Sequence, residues 1–189
     1  MIHQRSATVL ELRKAAEGGS LLAILDACDA PAVPAKIRRL GEPRAASLYK
    51  GNAATDLWAI APYLVAVDPD LFDWIIATRW AEPWGIFLRS QATIETLQHH
   101  FRKFLMVETP DGDTWYFRFY DPRVLPRYLR TCADEQLAEF YGPIDLFAVT
   151  DAETYGVVML SRDPVTLVDR ESPVRVRFKG PHQASSSGP

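Results

Sequence analysis

The stretch Arg118–Leu125 predicts a strand-to-helix corner in the second half of the chain. The aromatic run that leads into it, Thr114–Phe117, has the residue types that favour a β-strand. Asp121 is a good helix N-cap, and Pro122 suits the first helical turn, where a missing N–H costs nothing. The sequence therefore predicts that a strand ends and a helix begins here, and that Asp121 lies within local reach of two arginines, Arg118 and Arg123.

Apolar strands alternate with helical segments before this corner. Leu21–Ala27 is a nearly all-apolar run, as expected where both faces of a strand are covered. Further strands are predicted at Arg44–Tyr49, Tyr63–Val67 and Gly85–Arg89. Helices are predicted at Ala7–Glu17, Pro31–Leu40, Pro69–Trp80 and after a cap at Ser90 or Thr93.

A strong turn at Pro110–Asp113 predicts a hairpin between Leu105–Glu108 and Thr114–Tyr120. Two helices, Pro122–Thr131 and Asp134–Tyr141, and strands at Leu146–Val149, Val157–Leu160 and Val174–Phe178 are expected after it. This pattern predicts an α/β (or α+β) domain with a mixed central sheet flanked by helices. We expect one domain over residues 1–149 and a short C-terminal extension over residues 150–189, partly β, with a flexible tail.

The composition and net charge of the chain exclude several classes of function. The 189 residues are 48% apolar and 24% charged, which is ordinary for a globular protein. A net charge of -3 argues against general nucleic-acid binding. Two cysteines, Cys28 and Cys132, are too few for a disulfide framework. The N-terminus lacks the apolar core of a signal peptide. No apolar run is long enough to span a membrane. We expect a cytoplasmic protein that binds neither nucleic acid nor membrane.

Catalytic, metal and cofactor signatures are not found in the sequence. The four histidines, His3, His99, His100 and His182, do not have metal-ligand spacing. The sequence has no nucleophile elbow and no phosphate-binding glycine loop. We therefore expect no catalytic residue, no metal and no cofactor. Asp26 and Asp29 after the first strand are nevertheless a carboxylate pair that an enzyme could use, so an enzyme remains an alternative.

The main candidate site consists of three arginines that lie beside aromatic residues, at strand ends or helix starts. They are Arg89, Arg118 and Arg123. One interpretation is an internal ion pair that fixes the corner, and the other is a recognition platform for a protein partner. On the helix after the corner, Arg123, Arg127 and Arg130 share a face, which is either solvated or a docking surface for an acidic partner. Most of the five tryptophans are expected in the core, with Trp80 or Trp84 at a groove.

The sequence contains the segments W-G-I-F-L-R-S at Trp84–Ser90 and R-F-Y-D-P-R-V-L at Arg118–Leu125. Together these two segments resemble a known family, the adaptor (chaperone) domain that loads toxic effectors onto the spike of the bacterial type VI secretion system. Weaker likenesses follow the family's order at Leu21–Ala27, Ser47–Gly51, Ala61–Val65 and Phe140–Pro143. The resemblance covers roughly residues 21–146 and does not extend to the ends of the chain.

The resemblance implies a non-catalytic adaptor that binds a cognate type VI effector protein and hands it to the spike (VgrG) protein. The rim formed by strand ends and the next helix is where open α/β sheets place a binding crevice. The expected partner-binding residues are Trp84, Arg89, Arg118, Tyr120, Asp121, Arg123 and Arg127, and of these Trp84, Arg89, Arg123 and Arg127 are expected to be exposed on that rim. Two alternatives remain: an enzyme that uses carboxylates near Asp26 and Asp121, and an immunity protein that neutralises a toxin by direct binding.

Overall fold

The structure is a computed structural model that describes residues 2–28, 30–40, 44–79, 82–108, 111–151 and 156–161. Its strands in these ranges are β1 (Leu21–Asp26), β2 (Ala45–Ser47), β3 (Pro62–Ala66), β4 (Gly85–Arg89), β5 (Met106–Glu108), β6 (Thr114–Tyr116), β7 (Leu146–Asp151) and β8 (Gly156–Ser161). Six of them form the main sheet, in the order β2-β3-β1-β4-β7-β8, and β5 and β6 form a separate two-stranded sheet.

The helices largely follow the predicted segments. They are α1 (Ile2–Glu17), α2 (Ala32–Leu40), α3 (Asn52–Asp56), α4 (Pro69–Arg79), α5 (Ile94–Phe101), α6 (Leu125–Thr131) and α7 (Asp134–Tyr141), with short 3-10 turns at Trp58–Ile60 and Arg102–Phe104. Of the two caps considered for α5, Thr93 is the one used, since its hydroxyl accepts the N–H of Thr96 at 3.2 Å. Short α3 was not predicted.

The fold class is confirmed in its α+β form, as a single domain with helices packed on a central sheet. Each pairing between the described strands of the main sheet is antiparallel. Helical crossovers still join strands that run the same way, since α2 connects β1 to β2 and α4 connects β3 to β4. A third strand lies between the members of each such pair, β3 in the first case and β1 in the second. Alternation of strands and helices along the chain does not reveal this insertion.

Two apolar cores lie on opposite faces of the sheet, because alternate residues of a strand point to opposite sides. Leu21, Ala23 and Leu25 of β1 pack in one core with residues of α1, α2 and α4. Leu22 and Ile24 pack in the other with residues of α5, α6 and α7. Burial on both sides explains why β1 reads as a continuous apolar run.

The main sheet extends past the expected domain boundary at residue 149. β7 runs on to Asp151, and β8 pairs with it along six positions, from Leu146 opposite Ser161 to Asp151 opposite Gly156. The first part of the predicted C-terminal extension therefore belongs to the main sheet. The predicted strand Val174–Phe178 and the predicted flexible tail lie outside the described residues.

Helix α6 begins at Leu125, three residues later than predicted from Pro122. A helix that started at Pro122 would place Pro126 in its interior, where the ring clashes with the preceding turn and no N–H is available. Starting at Leu125 puts Pro126 in the first turn, where proline is tolerated. The second proline of the segment thus sets the start of the helix, and the residues before it form a turn.

Candidate protein-docking site

Asp121 organises the turn before α6. Its backbone carbonyl accepts the N–H of Val124 at 2.9 Å and of Leu125 at 3.1 Å. Its carboxylate accepts the backbone N–H of Arg123 at 2.8 Å and two guanidinium N–H groups of the same residue at 2.9 and 2.6 Å. Burial alone would raise the pKa of Asp121, but these hydrogen bonds outweigh burial and hold the pKa below its usual range. Strand β6 and helix α6 are therefore joined by a turn that Asp121 stabilises, and the predicted role of Asp121 as N-cap of the helix is wrong, since that position is held by Val124.

Arg118 was expected beside Asp121 and instead binds Asp26, at the end of β1. The two are 92 residues apart in the chain, and a guanidinium nitrogen of Arg118 contacts the Oδ2 of Asp26. The Asp26 side chain is only 4% exposed whereas that of Arg118 is 44% exposed. The other carboxylate oxygen, Oδ1, accepts the N–H of Cys28 at 2.9 Å. Burial would lower the pKa of Arg118, but the adjacent carboxylate outweighs it and raises the pKa.

Three tyrosines lie near this ion pair and form a tyrosine cluster of Tyr49, Tyr116 and Tyr120. The hydroxyls of Tyr116 and Tyr120 are 3.2 Å apart, and the rings of Tyr49 and Tyr116 meet edge to face at 5.9 Å. Burial raises the pKa of both hydroxyls, so they stay protonated at neutral pH. Tyr120, an expected partner-binding residue, is almost fully buried, so it can support a binding surface only from beneath.

The aromatic hairpin, defined as Met106–Glu108 and Thr114–Tyr116, carries exposed apolar side chains and ends two residues before Arg118. Trp115 is 63% exposed and Met106 is 52% exposed. Met106 lies opposite Tyr116 in the register, whereas Trp115 lies opposite Val107 and so occupies the other face. Tryptophan and methionine are enriched at surfaces that meet another protein, so each face of the hairpin offers one candidate anchor. Trp115 was expected in the core, so sequence reasoning missed this candidate even though it predicted the hairpin.

Trp84 was expected as an exposed anchor, and this expectation is wrong. The side chain is 1% exposed, and its ring contacts Phe87 edge to face at 4.8 Å. The backbone carbonyl of Trp84 accepts the N–H of Asp26 at 2.8 Å. Trp84 therefore belongs to the core beside α4 and positions the end of β1.

The expected arginines do not share one rim. Arg89 pairs with Leu21, at the start of β1, while Gly85 at the other end of the same strand pairs with Leu25, next to Asp26. Arg89 thus lies at the opposite end of the sheet from the Arg118–Asp26 pair, with its guanidinium 3.7 Å from Glu11 of α1. The prediction of one common rim is wrong because adjacent antiparallel strands run in opposite directions. Their C-terminal residues therefore lie at opposite ends of the strands in the sheet.

Two arginines of the set remain exposed near the corner. Arg123 is 67% exposed, but its guanidinium is bound to Asp121. Arg127 lies exposed on α6. Arg118, Tyr120, Asp121 and Arg123 thus lie in one segment before α6, whereas the Trp84 side chain is buried and Arg89 lies at the other end of the sheet.

Among the residues that the structure describes, no group of three His, Cys, Asp or Glu side chains is placed to hold a metal ion. No helix within the same ranges is both long and apolar enough to cross a membrane. His99 is exposed, whereas His100 is buried, with its Nε2 at 2.8 Å from the carbonyl oxygen of Phe140. His100 thus has a structural contact between α5 and α7.

We expect His100 to make the fold less stable at acidic pH. Burial lowers the pKa of His100, so protonation opposes the folded state. This contribution is complete above the unfolded pKa of about 6.5 and is lost as pH falls below it. Urea unfolding at about pH 7.5 and about pH 5.5 should differ by up to roughly 1.4 kcal/mol. A His100→Gln variant, neutral at both pH values, should show a smaller difference; an equal difference would contradict this role.

The comparison with known protein families gives one match. A family model described as a domain of unknown function (DUF4123) matches residues 21–139, more than half of the chain. The matched range starts at β1 and ends within α7, so it includes Asp26, the aromatic hairpin and the turn at Asp121. Neither the curated proteins nor the solved structures contain a match to this chain.

Proposed function

The chain belongs to the DUF4123 family, a domain of unknown function, and from that premise we propose that it is a cytoplasmic, non-catalytic adaptor. It binds a toxic effector protein and loads that effector onto the spike (VgrG) protein of a type VI secretion system. The order of the motifs from Leu21 to Pro143 supports this role by resemblance. Capture and release then depend on competing protein surfaces, with no covalent step.

The aromatic hairpin is the observation that carries the proposal. Trp115 and Met106 expose large apolar side chains on a small sheet that lies outside the main one. Arg118 follows β6 by two residues and keeps its side chain 44% exposed while it binds Asp26. Tryptophan, methionine and arginine are enriched at protein interfaces, and a few such side chains supply most of the binding energy. The hairpin and Arg118 together fit a protein-binding surface.

The two carboxylates of the enzyme alternative are engaged in ion pairs. Asp26 is bound by Arg118, and Asp121 is bound by Arg123. A general acid or base works best with a pKa near the operating pH. The pKa of Asp121 is held below its usual range, so this carboxylate stays ionised and does not suit proton donation at neutral pH. These contacts favour a structural role for both residues over acid–base catalysis.

Copurification tests the proposed role directly. The full chain, tagged at one end, is expressed with the proteins encoded beside it, first with a candidate effector and then with the spike protein. An adaptor forms a stable complex with the effector and a separate complex with the spike. A folded chain that captures neither protein would overturn the proposal, and direct neutralisation of the toxin by the chain alone would indicate an immunity protein.

Truncation of Trp115 should weaken capture of the effector. A central aromatic anchor typically contributes about 2 kcal/mol on truncation, which corresponds to roughly 30-fold in Kd. Trp115→Ala is therefore expected to bind the effector about 30-fold more weakly in titration calorimetry, with little change in melting temperature. The matched control is Leu10→Ala, which removes another large exposed apolar side chain, on α1. Wild-type affinity in the Trp115 variant would exclude the hairpin as the docking surface.

A further inference from the structure

A groove runs along the outer edge of the main sheet, where β2 is the last described strand. This edge groove has a volume of about 400 Å³. The strand β2 forms its floor, Ile37 of α2 and Ala54 of α3 lie on one side, and Gln98 of α5 and Arg102 lie on the other. Residues from helices of both layers thus line the groove together with the edge strand, of which Ala45 is buried and Ala46 and Ser47 are half-buried.

The register of β2 shows which backbone groups point into the groove. Ala46 lies opposite Leu64, and the bonds on either side of this pair run from Ala66 N–H to Arg44 C=O at 2.8 Å and from Leu48 N–H to Pro62 C=O at 2.9 Å. In an antiparallel ladder, bonded residues alternate with residues whose N–H and C=O point away from the partner strand. The backbone groups of Ala45 and Ser47 therefore point outward, into the edge groove.

Side chains already bind one of these outward groups. The carbonyl of Ser47 accepts an N–H of Gln98 at 2.7 Å and of Arg102 at 3.1 Å, which agrees with its outward direction. Within the described ranges, no hydrogen bond is made by the outward N–H and C=O of Ala45 or by the N–H of Ser47. Two donors and one acceptor thus remain along the strand with the spacing of a β-ladder. This spacing matches another extended backbone.

The charge of the groove restricts which segment fits. Arg102 is the one charged residue among the described residues that line it. Its guanidinium binds the carbonyls of Ser47, Leu48 and Tyr49 at 2.7 to 3.1 Å, and burial lowers the pKa of Arg102. These contacts are to neutral carbonyls, so an acidic side chain of an incoming segment would find a favourable cation and a basic one would be repelled.

We infer that the edge groove binds an extended, acidic segment of a partner protein, which adds a strand to β2 through the backbone of Ala45 and Ser47. Main-chain hydrogen bonds provide affinity in this mode, and the side walls select alternate side chains. This inference is independent of the aromatic hairpin and of the proposed adaptor role.

Selection from a displayed library of random peptides tests the inference on the full chain. Enriched peptides should carry Asp or Glu and should not carry proline at alternate positions, because proline cannot donate to a ladder. A synthetic copy of an enriched peptide then serves as the probe for amide exchange. At a concentration about 100 times its Kd, exchange at the Ala45 and Ser47 amides should slow by up to about 100-fold. The Ala46 and Leu48 amides already bond β3, so the probe should slow their exchange only through the added stability of the bound fold and should give them no new hydrogen bond.

A pair of variants separates the added strand from other modes of binding. Ser47→Pro removes the outward N–H together with the hydroxyl that accepts the N–H of Tyr49, whereas Ser47→Ala removes only the hydroxyl. The proline variant should bind the probe about tenfold more weakly, and the alanine variant about as well as the wild type. Failure to enrich any peptide, enrichment of basic peptides, or exchange at the Ala45 and Ser47 amides that the probe does not slow would overturn the inference. The exchange result on the wild-type chain decides the matter if Ser47→Pro does not fold.

Discussion

Gly85→Ala should destabilise the fold by about 3 kcal/mol or more, because both the backbone conformation and the packing require glycine. Gly85 begins β4 with φ at +142°, a value that L side chains rarely adopt. A Cβ atom there would lie 1.9 Å from the carbonyl oxygen of Ile24. β1 is held by β3 on one side and β4 on the other, so its backbone has little freedom to move away.

Chemical denaturation measures this effect, and Gly19→Ala is the matched control. Gly19 also has a positive φ, +70°, but a Cβ atom there would meet nothing within 4 Å. The control should lose only about 1 kcal/mol, the usual cost of a left-handed conformation in a residue with a Cβ. If the two variants lose the same stability, close approach of β1 and β4 at Gly85 does not determine the cost.

Arg118→Ala should destabilise the fold by about 2–4 kcal/mol, because it leaves the buried carboxylate of Asp26 without its charged partner. The Asp26 side chain is 4% exposed, and the N–H of Cys28 is the hydrogen bond that remains to it. Loss of a partner costs more than the pair itself contributes, since the unpaired charge keeps its desolvation penalty. Arg127→Ala, which removes an exposed arginine from α6, should change stability by less than about 0.5 kcal/mol.

A double-mutant cycle identifies the pair as the cause. Asp26→Asn removes the charge that Arg118 neutralises, so Arg118→Ala should cost less in the Asp26→Asn background than in the wild type. Equal costs in both backgrounds would show that the two side chains do not interact. Because Arg118 lies two residues after β6, the same pair also attaches the base of the aromatic hairpin to the end of β1. The ion-pair and recognition interpretations of Arg118 are therefore compatible.

Local patterns in the sequence were sufficient to locate most helices and strands. β4 was predicted with its observed bounds, Gly85–Arg89, and so was α7, Asp134–Tyr141. Both depend on information within a few residues: a short apolar run in β4, and helical spacing in α7. The start of α6 also depends on local sequence, because Pro126 is tolerated only in the first turn of the helix. The start predicted from Pro122 does not take this second proline into account.

The tertiary structure alone decided how these elements place their side chains. Arg118 has Asp121 three residues away, yet it binds Asp26 from 92 residues away, because the end of β1 comes next to the segment before α6 only when the sheet is assembled. Trp84 is buried because it directly precedes β4, a strand inside the main sheet, and packs in the core beside α4, whereas Trp115 is exposed on β6, outside the main sheet. Strand order and helix packing depend on contacts between distant residues, and local periodicity does not encode them. The sequence therefore determined which segments are strands and helices, and long-range packing determined which side chains form the candidate surface.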